Sequence, residues 1–399
     1  EMVPFGDQAD LGIINTCTVT NEADAKSRNT IRRFIRSNPL ATVVVVGCYS
    51  QVSANEVASI KGVDYIIGNH DKLNLLDYVK LGKTESPVIV RERISRDDFS
   101  IGFVGESAFA QRANLKIQDG CDFSCSFCII PQARGRARSR SWSDLIEEAR
   151  EMLQKGVREI VLTGVNLGTY RSDGHDFLSL IERLSAWKGL DRWRISSIQP
   201  TTIPEELLAL MAEPSHPLMP YLHVPMQSGT DKILKLMRRR YDLDEMKGFF
   251  MQAKQQIPDL CLGTDLMVGF PNENDDDFAQ TCQSFMEMPF SYCHVFTYSE
   301  RQGTAASRMV QVPMEERRAR SAHLRRLSAS KRMSFHEEQE GREFRVLLEN
   351  PKDDKHCGYT DHYLKVFLKE KRDELTNKMV RVKVVEAFPE YVVGDLISE

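Results

Sequence analysis

The residues in this chain best suited to chemistry are three thiols at C-x3-C-x2-C spacing, in the stretch Cys121-Asp122-Phe123-Ser124-Cys125-Ser126-Phe127-Cys128. Three thiolates on a [4Fe–4S] cubane leave one iron open to a substrate or cofactor, whereas structural clusters are normally closed by four cysteines. A structural zinc also wants four ligands, commonly supplied as paired C-x2-C units. No fourth Cys or His lies nearby in sequence, so zinc is the poorer reading.

Two more cysteines sit where apolar runs end. Leu11-Gly12-Ile13-Ile14 runs into Asn15-Thr16-Cys17, and the β-branched run Thr42 to Val46 runs into Gly47-Cys48. Between them, Asn21 to Ser37 reads as a helix with Ile31, Phe34 and Ile35 on one face, stopped by Asn38-Pro39. Parallel strands joined by such a crossover end on the same side of their sheet, where doubly wound folds bind ligands. Cys17 and Cys48 are therefore expected at one edge, as ligands or as two buried free thiols. A strand at Asp64 to Ile67 and a helix through Leu73 to Val79 complete this unit. Gly82 to Ser107 reads as a linker with one strand at Val88 to Val90.

The cysteine loop must in turn be held by the next segment, which alternates strand and helix. Strands are expected at Asn114 to Ile117, Glu159 to Thr163, Trp193 to Ile198, Tyr221 to Val224, Cys261 to Val268 and Tyr292 to Phe296. Ser143 before Glu147, and Thr202-Ile203-Pro204-Glu205, read as helix caps between them. Six β-α repeats suggest a partial (βα)6 barrel with its site at the carboxyl ends of the strands, and the cysteine loop follows the first strand. Glu315 to Arg332 reads as a basic exit helix. Arg342 to Leu348, Tyr363 to Leu368 and Met379 to Val385 then read as strands of a small all-β module.

A chain of 399 residues suggests two or three domains. No apolar run approaches a membrane span and nothing resembles a secretory leader, which implies a cytoplasmic protein without membrane contact. Nine cysteines, five of them in two clusters, fit a reducing compartment better than a disulfide framework. The net charge of −4 excludes the whole-protein footprint of a nucleic-acid binder, so an RNA site must come from local patches. Four patches stand out: Lys26, Arg28, Arg32, Arg33 and Arg36; Arg134, Arg136, Arg138 and Arg140; Arg238 to Arg240; and the exit helix with Arg317, Arg318, Arg320, Arg325, Arg326, Lys331 and Arg332. Singly each is more often a solvated face, but together they would neutralise phosphates.

The cysteine octet, with Phe127 just before its last thiol, resembles the signature of the radical S-adenosylmethionine (SAM) superfamily. Ile129-Ile130-Pro131 and Gly135-Arg136-Ala137-Arg138-Ser139-Arg140-Ser141 resemble its methylthiotransferase branch. The resemblance continues through Thr163-Gly164-Val165-Asn166, His223-Val224-Pro225-Met226-Gln227-Ser228-Gly229, Gly263-Thr264-Asp265 to Pro271, and Phe296 to Thr304. It implies three domains: an N-terminal doubly wound parallel α/β domain at 1-85 with its first segment missing, a radical SAM partial (βα)6 barrel at 107-330, and a TRAM-like all-β RNA-binding barrel at 335-399.

The implied cofactors are SAM and two [4Fe–4S] clusters. One would be held by Cys121, Cys125 and Cys128, and an auxiliary one by Cys17, Cys48 and a third cysteine expected upstream of residue 1. Phe127, Gly164, Asn166, Ser196, Gln227 and Asp265 are the candidate SAM contacts, and His223 is either a pocket residue or a core histidine. The implied function is methylthiolation of a tRNA anticodon loop, using two SAM molecules and an electron donor such as flavodoxin, with no role for DNA. Thr16-Cys17-Thr18-Val19-Thr20 looks most like the subfamily acting on N6-threonylcarbamoyladenosine at position 37. Isopentenyladenosine and a ribosomal-protein side chain are alternative substrates, and an iron–sulfur RNA-binding protein without turnover is the non-enzymatic alternative. Candidate RNA contacts are Arg134, Arg136, Arg138 and Arg140, with Tyr359, Tyr363 and Phe367 as stacking platforms.

Overall fold

A computed structural model describes residues 1–101, 112–351, 355–370 and 372–398, so residue 107, where the barrel is expected to begin, lies outside the described residues. The chain forms two compact units. The first comprises Glu1–Asp97, Asp119–Arg138 and Ser299–Met309, and the second Asp98–Gln118, Ser139–Tyr298 and Val310–Glu399. The cysteine loop thus belongs to the same unit as Cys17 and Cys48.

The first unit is built on a parallel sheet ordered β1 (Leu11–Thr16), β2 (Thr42–Gly47), β3 (Tyr65–Ile67) and β4 (Val88–Val90). All six residues of β2 are buried, as befits a central strand covered on both faces, whereas β1 alternates between buried and exposed. Helix α1 (Asn21–Ser37) connects them. Thr20 caps it by accepting from Ala23 N at 3.1 Å, and Ile31 and Phe34 face the sheet. The helix expected at Leu73 to Val79 is instead a 3₁₀ stretch, Lys72–Asp77, interrupted by non-helical backbone at Asn74. Two short helices, α2 (Cys48–Val52) and α3 (Ala54–Ala58), follow β2, and α4 (Ile130–Arg134) follows the cysteine loop.

The second unit contains six parallel strands in two runs. In the first, β6 (Glu159–Thr163) lies between β5 (Arg112–Lys116) and β7 (Arg192–Ile195); in the second, β9 (Cys261–Val268) lies between β8 (Tyr221–His223) and β10 (Tyr292–Thr297). The runs are stitched together by Ile198 N donating to His223 O at 3.1 Å and Trp193 N donating to Pro217 O at 2.8 Å. A continuous apolar core fills the space between strands and helices, including Leu115, Ile160, Trp193, Leu222, Leu262 and Phe250.

Two expected caps move. The helix after β5 starts at Trp142, with Ser143 already inside it, and the helix near Thr202 starts only at Leu207. Thr202 closes a 3₁₀ turn, Pro200–Thr202.

The last segment forms a closed five-stranded barrel ordered β11 (Glu343–Leu348), β12 (Cys357–Thr360), β13 (Lys365–Leu368), β15 (Val392–Ser398) and β14 (Met379–Ala387). Tyr363, expected in a strand, sits in the turn before β13 at φ +64°. Phe344, Val346, Val366 and Val382 form its core, which continues onto Tyr221 and Cys261 of the six-stranded part. Among the described residues no helix is long and apolar enough to cross a membrane.

Candidate functional site

The cysteine loop is shaped by its flanks. Gly120 has φ +68°, and a Cβ there would lie 2.1 Å from Arg136 O, so only glycine lets the strand entering the loop pass the segment leaving it. Cys121 N donates to Gly135 O at 3.2 Å and Cys128 N to Cys125 O at 3.1 Å. Asp122 pairs with Arg136 and accepts from Ala137 N at 3.1 Å. The Arg136 hydrogen bond holds the Asp122 carboxyl below the usual carboxylate range. None of the three thiols is in a disulfide, and all are partly exposed.

A mononuclear zinc would draw its ligand sulfurs to within about 4 Å of one another, from Zn–S bonds of about 2.3 Å. Among the described residues, the clusters of metal-capable side chains within 4.8 Å contain no cysteine. Three open, spread thiols fit three corners of an iron–sulfur cubane instead.

Cys17 and Cys48 directly follow Thr16 and Gly47, which are register partners in adjacent parallel strands. Neighbouring strands run about 4.8 Å apart, so both thiols start from one sheet edge. Gly47 is needed there: φ is +101°, and a Cβ would stand 2.5 Å from Thr16 O. Cys17 is exposed and Cys48 buried. Cys48 Sγ accepts from Asn69 Nδ2 at 3.4 Å, with the Arg134 side chain beside it. Thr18 is buried, and its hydroxyl accepts from Arg301, which also binds Asn21 and Asp24. Beside them lies a cavity of about 750 Å³ whose wall includes Asn21, Asp24, Arg28, Glu56, Gln132 and Arg301.

In the second unit, Gln118 Oε1 accepts from Val165 N at 2.9 Å and Asn166 N at 2.8 Å, fixing the turn that carries Gly164. Asn166 is buried. Its Oδ1 accepts from Thr202 Oγ1 at 2.9 Å, while its Nδ2 has no hydrogen-bond partner among the described residues. Ser196 is half-buried, and Gln227, at φ +73°, is locked by backbone bonds to Asp265 and Met267.

Asp265 is paired with two histidines: it accepts from His223 Nε2 at 2.9 Å and lies 3.4 Å from His294 Nδ1. Burial opposes its ionisation, but hydrogen bonds and charges from both rings prevail and take its pKa down to about 2. His223 Nδ1 meets Tyr292 Oη at 3.2 Å, and Tyr292 Oη meets Tyr221 Oη at 2.7 Å. His294 and Tyr292 do not stand out in the sequence. Their signal is positional, because Tyr292, His294 and Phe296 share the less buried face of β10.

Several expected RNA contacts are committed elsewhere. Arg140 is 1% exposed and ion-paired with Asp144 at 2.6 Å and with Glu148, so it is no phosphate ligand. Arg134 and Arg138 lie 3.0 and 3.8 Å from the Asp119 carboxylate, and Arg136 is exposed but paired with Asp122. Tyr359 and Tyr363 stack on each other at 4.8 Å under the Arg112 guanidinium, with Tyr221 4.7 Å from Tyr363. They are seam residues rather than free platforms. Arg317 and Arg320 of the exit helix, Met314–Glu337, are buried, Arg320 against Glu273. Arg32, Arg33 and Arg36 of α1 are exposed.

Residues 115–285 match the radical SAM superfamily model, and residues 1–68 match a model described as uncharacterized protein family UPF0004. A threonylcarbamoyladenosine tRNA methylthiotransferase of Bacillus subtilis is 36% identical, covering 98% of this chain and 89% of that protein. Its namesake in Aquifex aeolicus is 37% identical over 87% and 86%. A tRNA-2-methylthio-N(6)-dimethylallyladenosine synthase of Endomicrobium trichonymphae is 32% identical over 98% and 91%. Among solved structures, the radical SAM methyltransferase TsrM of Kitasatospora setae shares the fold at TM-score 0.58 and 14% identity, over 75% of this chain and 66% of that one.

Proposed function

We propose, because this chain belongs to the tRNA methylthiotransferases of the radical SAM superfamily, that its substrate is N6-threonylcarbamoyladenosine at position 37 of tRNA, which it converts to the 2-methylthio derivative. The reaction inserts CH3S at an unactivated C–H carbon and consumes two SAM molecules, one donating the methyl group and one the radical that abstracts hydrogen. Cys121, Cys125 and Cys128 would hold one [4Fe–4S] cluster, and Cys17 and Cys48 would contribute to a second. With the first cluster bound, the chemistry supplied there is one-electron cleavage of the SAM sulfonium, fed by a low-potential donor such as flavodoxin.

The chain's own residues prepare that chemistry. Asp122, clamped to Arg136 and Ala137, fixes the cysteine loop. In the second unit, Asn166 Nδ2, without a partner among the described residues, is a buried donor of the kind a bound ligand satisfies, and Gly164, Ser196, Gln227 and Asp265 are the other SAM contacts proposed from that unit; Phe127 is the one proposed from the cysteine loop. Exposed Arg32 and Arg36 supply phosphate contacts in place of the buried Arg140.

The observation that carries the choice of substrate is the cavity beside Thr18. At about 750 Å³ and walled by Asn21, Arg28, Glu56 and Gln132, it suits a polar threonylcarbamoyl group better than an apolar isopentenyl one. The higher identity to the threonylcarbamoyladenosine enzymes, 36% and 37% against 32%, points the same way. Isopentenyladenosine is the second reading, because a tRNA-2-methylthio-N(6)-dimethylallyladenosine synthase also matches over 98% of this chain, at 32% identity. Mass spectrometry of tRNA nucleosides from a strain lacking the gene decides. Loss of the 2-methylthio derivative with accumulation of N6-threonylcarbamoyladenosine is expected; an intact level of it refutes the assignment.

A further inference from the structure

We infer that Asn69 and Arg134 form a hydrogen-bonded bracket on Cys48 that raises the reduction potential of the metal centre this thiolate holds and ties it to the radical-generating loop. The inference rests on the proposed ligand role of Cys48. Asn69 Nδ2 donates to Cys48 Sγ at 3.4 Å and also to Ala133 O at 2.7 Å. The Arg134 guanidinium stands against the same sulfur and donates to Asp119 Oδ1 at 3.0 Å. Asp119 lies two residues before Cys121, and α4, which carries Ala133 and Arg134, begins two residues after Cys128.

Two ordinary reasons for such contacts fail here. Arg134 has a carboxylate partner in Asp119 already and gains little from a thiol, a weak acceptor. Asn69 is buried and reaches Ala133 O at good length, yet its amide is shared with sulfur 3.4 Å away. Donors converging on a buried sulfur make sense when the sulfur carries charge, as a ligating thiolate does. Hydrogen bonds to cluster sulfurs, and a cation beside them, favour the reduced cluster and so raise its potential. The same two residues clamp both ends of the three-cysteine loop, so the geometry of one thiol set is fixed relative to Cys48.

The test uses full-length protein reconstituted anaerobically in a Cys125→Ala background, which removes the radical-generating cluster and leaves the auxiliary signal alone. Potentiometric titration followed by electron paramagnetic resonance is run with Asn69→Leu, Arg134→Met and Arg134→Lys. For Arg134→Met, at the parent's midpoint potential, the oxidised-to-reduced ratio is expected to rise about tenfold, a 59 mV downward shift for one electron. Asn69→Leu shifts it the same way by less, and Arg134→Lys restores most of the loss. Iron content equal to the parent's with unmoved potentials overturns the bracket while leaving Cys48 a ligand. A parent with no cluster at all overturns the ligand role and the bracket with it.

Discussion

Arg301 donates through Nη2 to the hydroxyl of Thr18 at 2.6 Å, joining residues 283 positions apart in sequence within one compact unit. The same guanidinium pairs with Asp24 at 2.7 Å. Arg301, Thr18 and Asp24 are all buried, so a lost partner is replaced poorly. Arg301→Met strands a buried carboxylate and should cost roughly 3–5 kcal/mol. Thr18→Ala leaves one donor unmet and should cost about 1–3 kcal/mol, with Thr18→Ser nearly silent. Denaturant midpoints that fail to rank Arg301→Met below Thr18→Ala, and Thr18→Ala below Thr18→Ser, would contradict the network.

This contact also explains how much of the site was legible. Side chains of the motif around Cys17 meet distant partners, yet only the motif, not the partner, is visible in sequence. The strand-end position of Gly47-Cys48, in register with Thr16-Cys17, reads directly, since glycine at a strand end has few other uses. Arg140 misled because residue type carries no information on exposure. Asp144, four residues on in the helix that starts at Trp142, was the available warning. Tyr359 and Tyr363 misled likewise, because an aromatic pair on a small β-barrel serves a seam as well as a base. Cys357–Thr360 escaped as a strand because Gly358 breaks its pattern, although Leu347 O lies where a Cβ at Gly358 would go.

Cys125→Ala should abolish 5′-deoxyadenosine formation while leaving the fold intact. The thiol is partly exposed, and no apolar core depends on it. Reductive cleavage needs the open iron that three thiolates create, and two do not hold a cubane. Anaerobic assays with dithionite and SAM, read by chromatography alongside circular dichroism, check both halves. Continued turnover would remove Cys125 from the ligand set.

Arg140 and Arg36 should part company in tRNA binding. Arg36 is exposed in the last turn of α1, so Arg36→Ala is expected to lower affinity and to reduce the salt slope by about 1. Arg140→Met is expected to leave that slope alone and instead destabilise the protein by roughly 3–5 kcal/mol, because Glu148 and Asp144 lose a buried cation. Filter binding at several salt concentrations separates the two. An unchanged slope for Arg36→Ala would take α1 out of the RNA surface.

His362 should make the second unit acid-sensitive. Burial pushes its pKa down to about 4, outweighing the opposing pull of Asp259 and Asp361, while Arg194 and Arg342 add to the depression. Its Nδ1 has no hydrogen-bond partner among the described residues, and its ring meets Phe344 edge-on at 5.5 Å. The unfolded histidine titrates near 6.5. Between about pH 6.5 and 4 the unfolded chain therefore binds the extra proton, and stability falls as pH falls. The loss approaches about 3 kcal/mol at the lower end, at 1.36 kcal/mol per pKa unit, and is absent above pH 7. His362→Phe keeps a ring against Phe344 but cannot take up a proton, so its denaturant midpoint should fall less steeply from pH 7 to pH 5 than the parent's. Parallel curves for the two proteins would mean that His362 is already solvated and carries no such penalty.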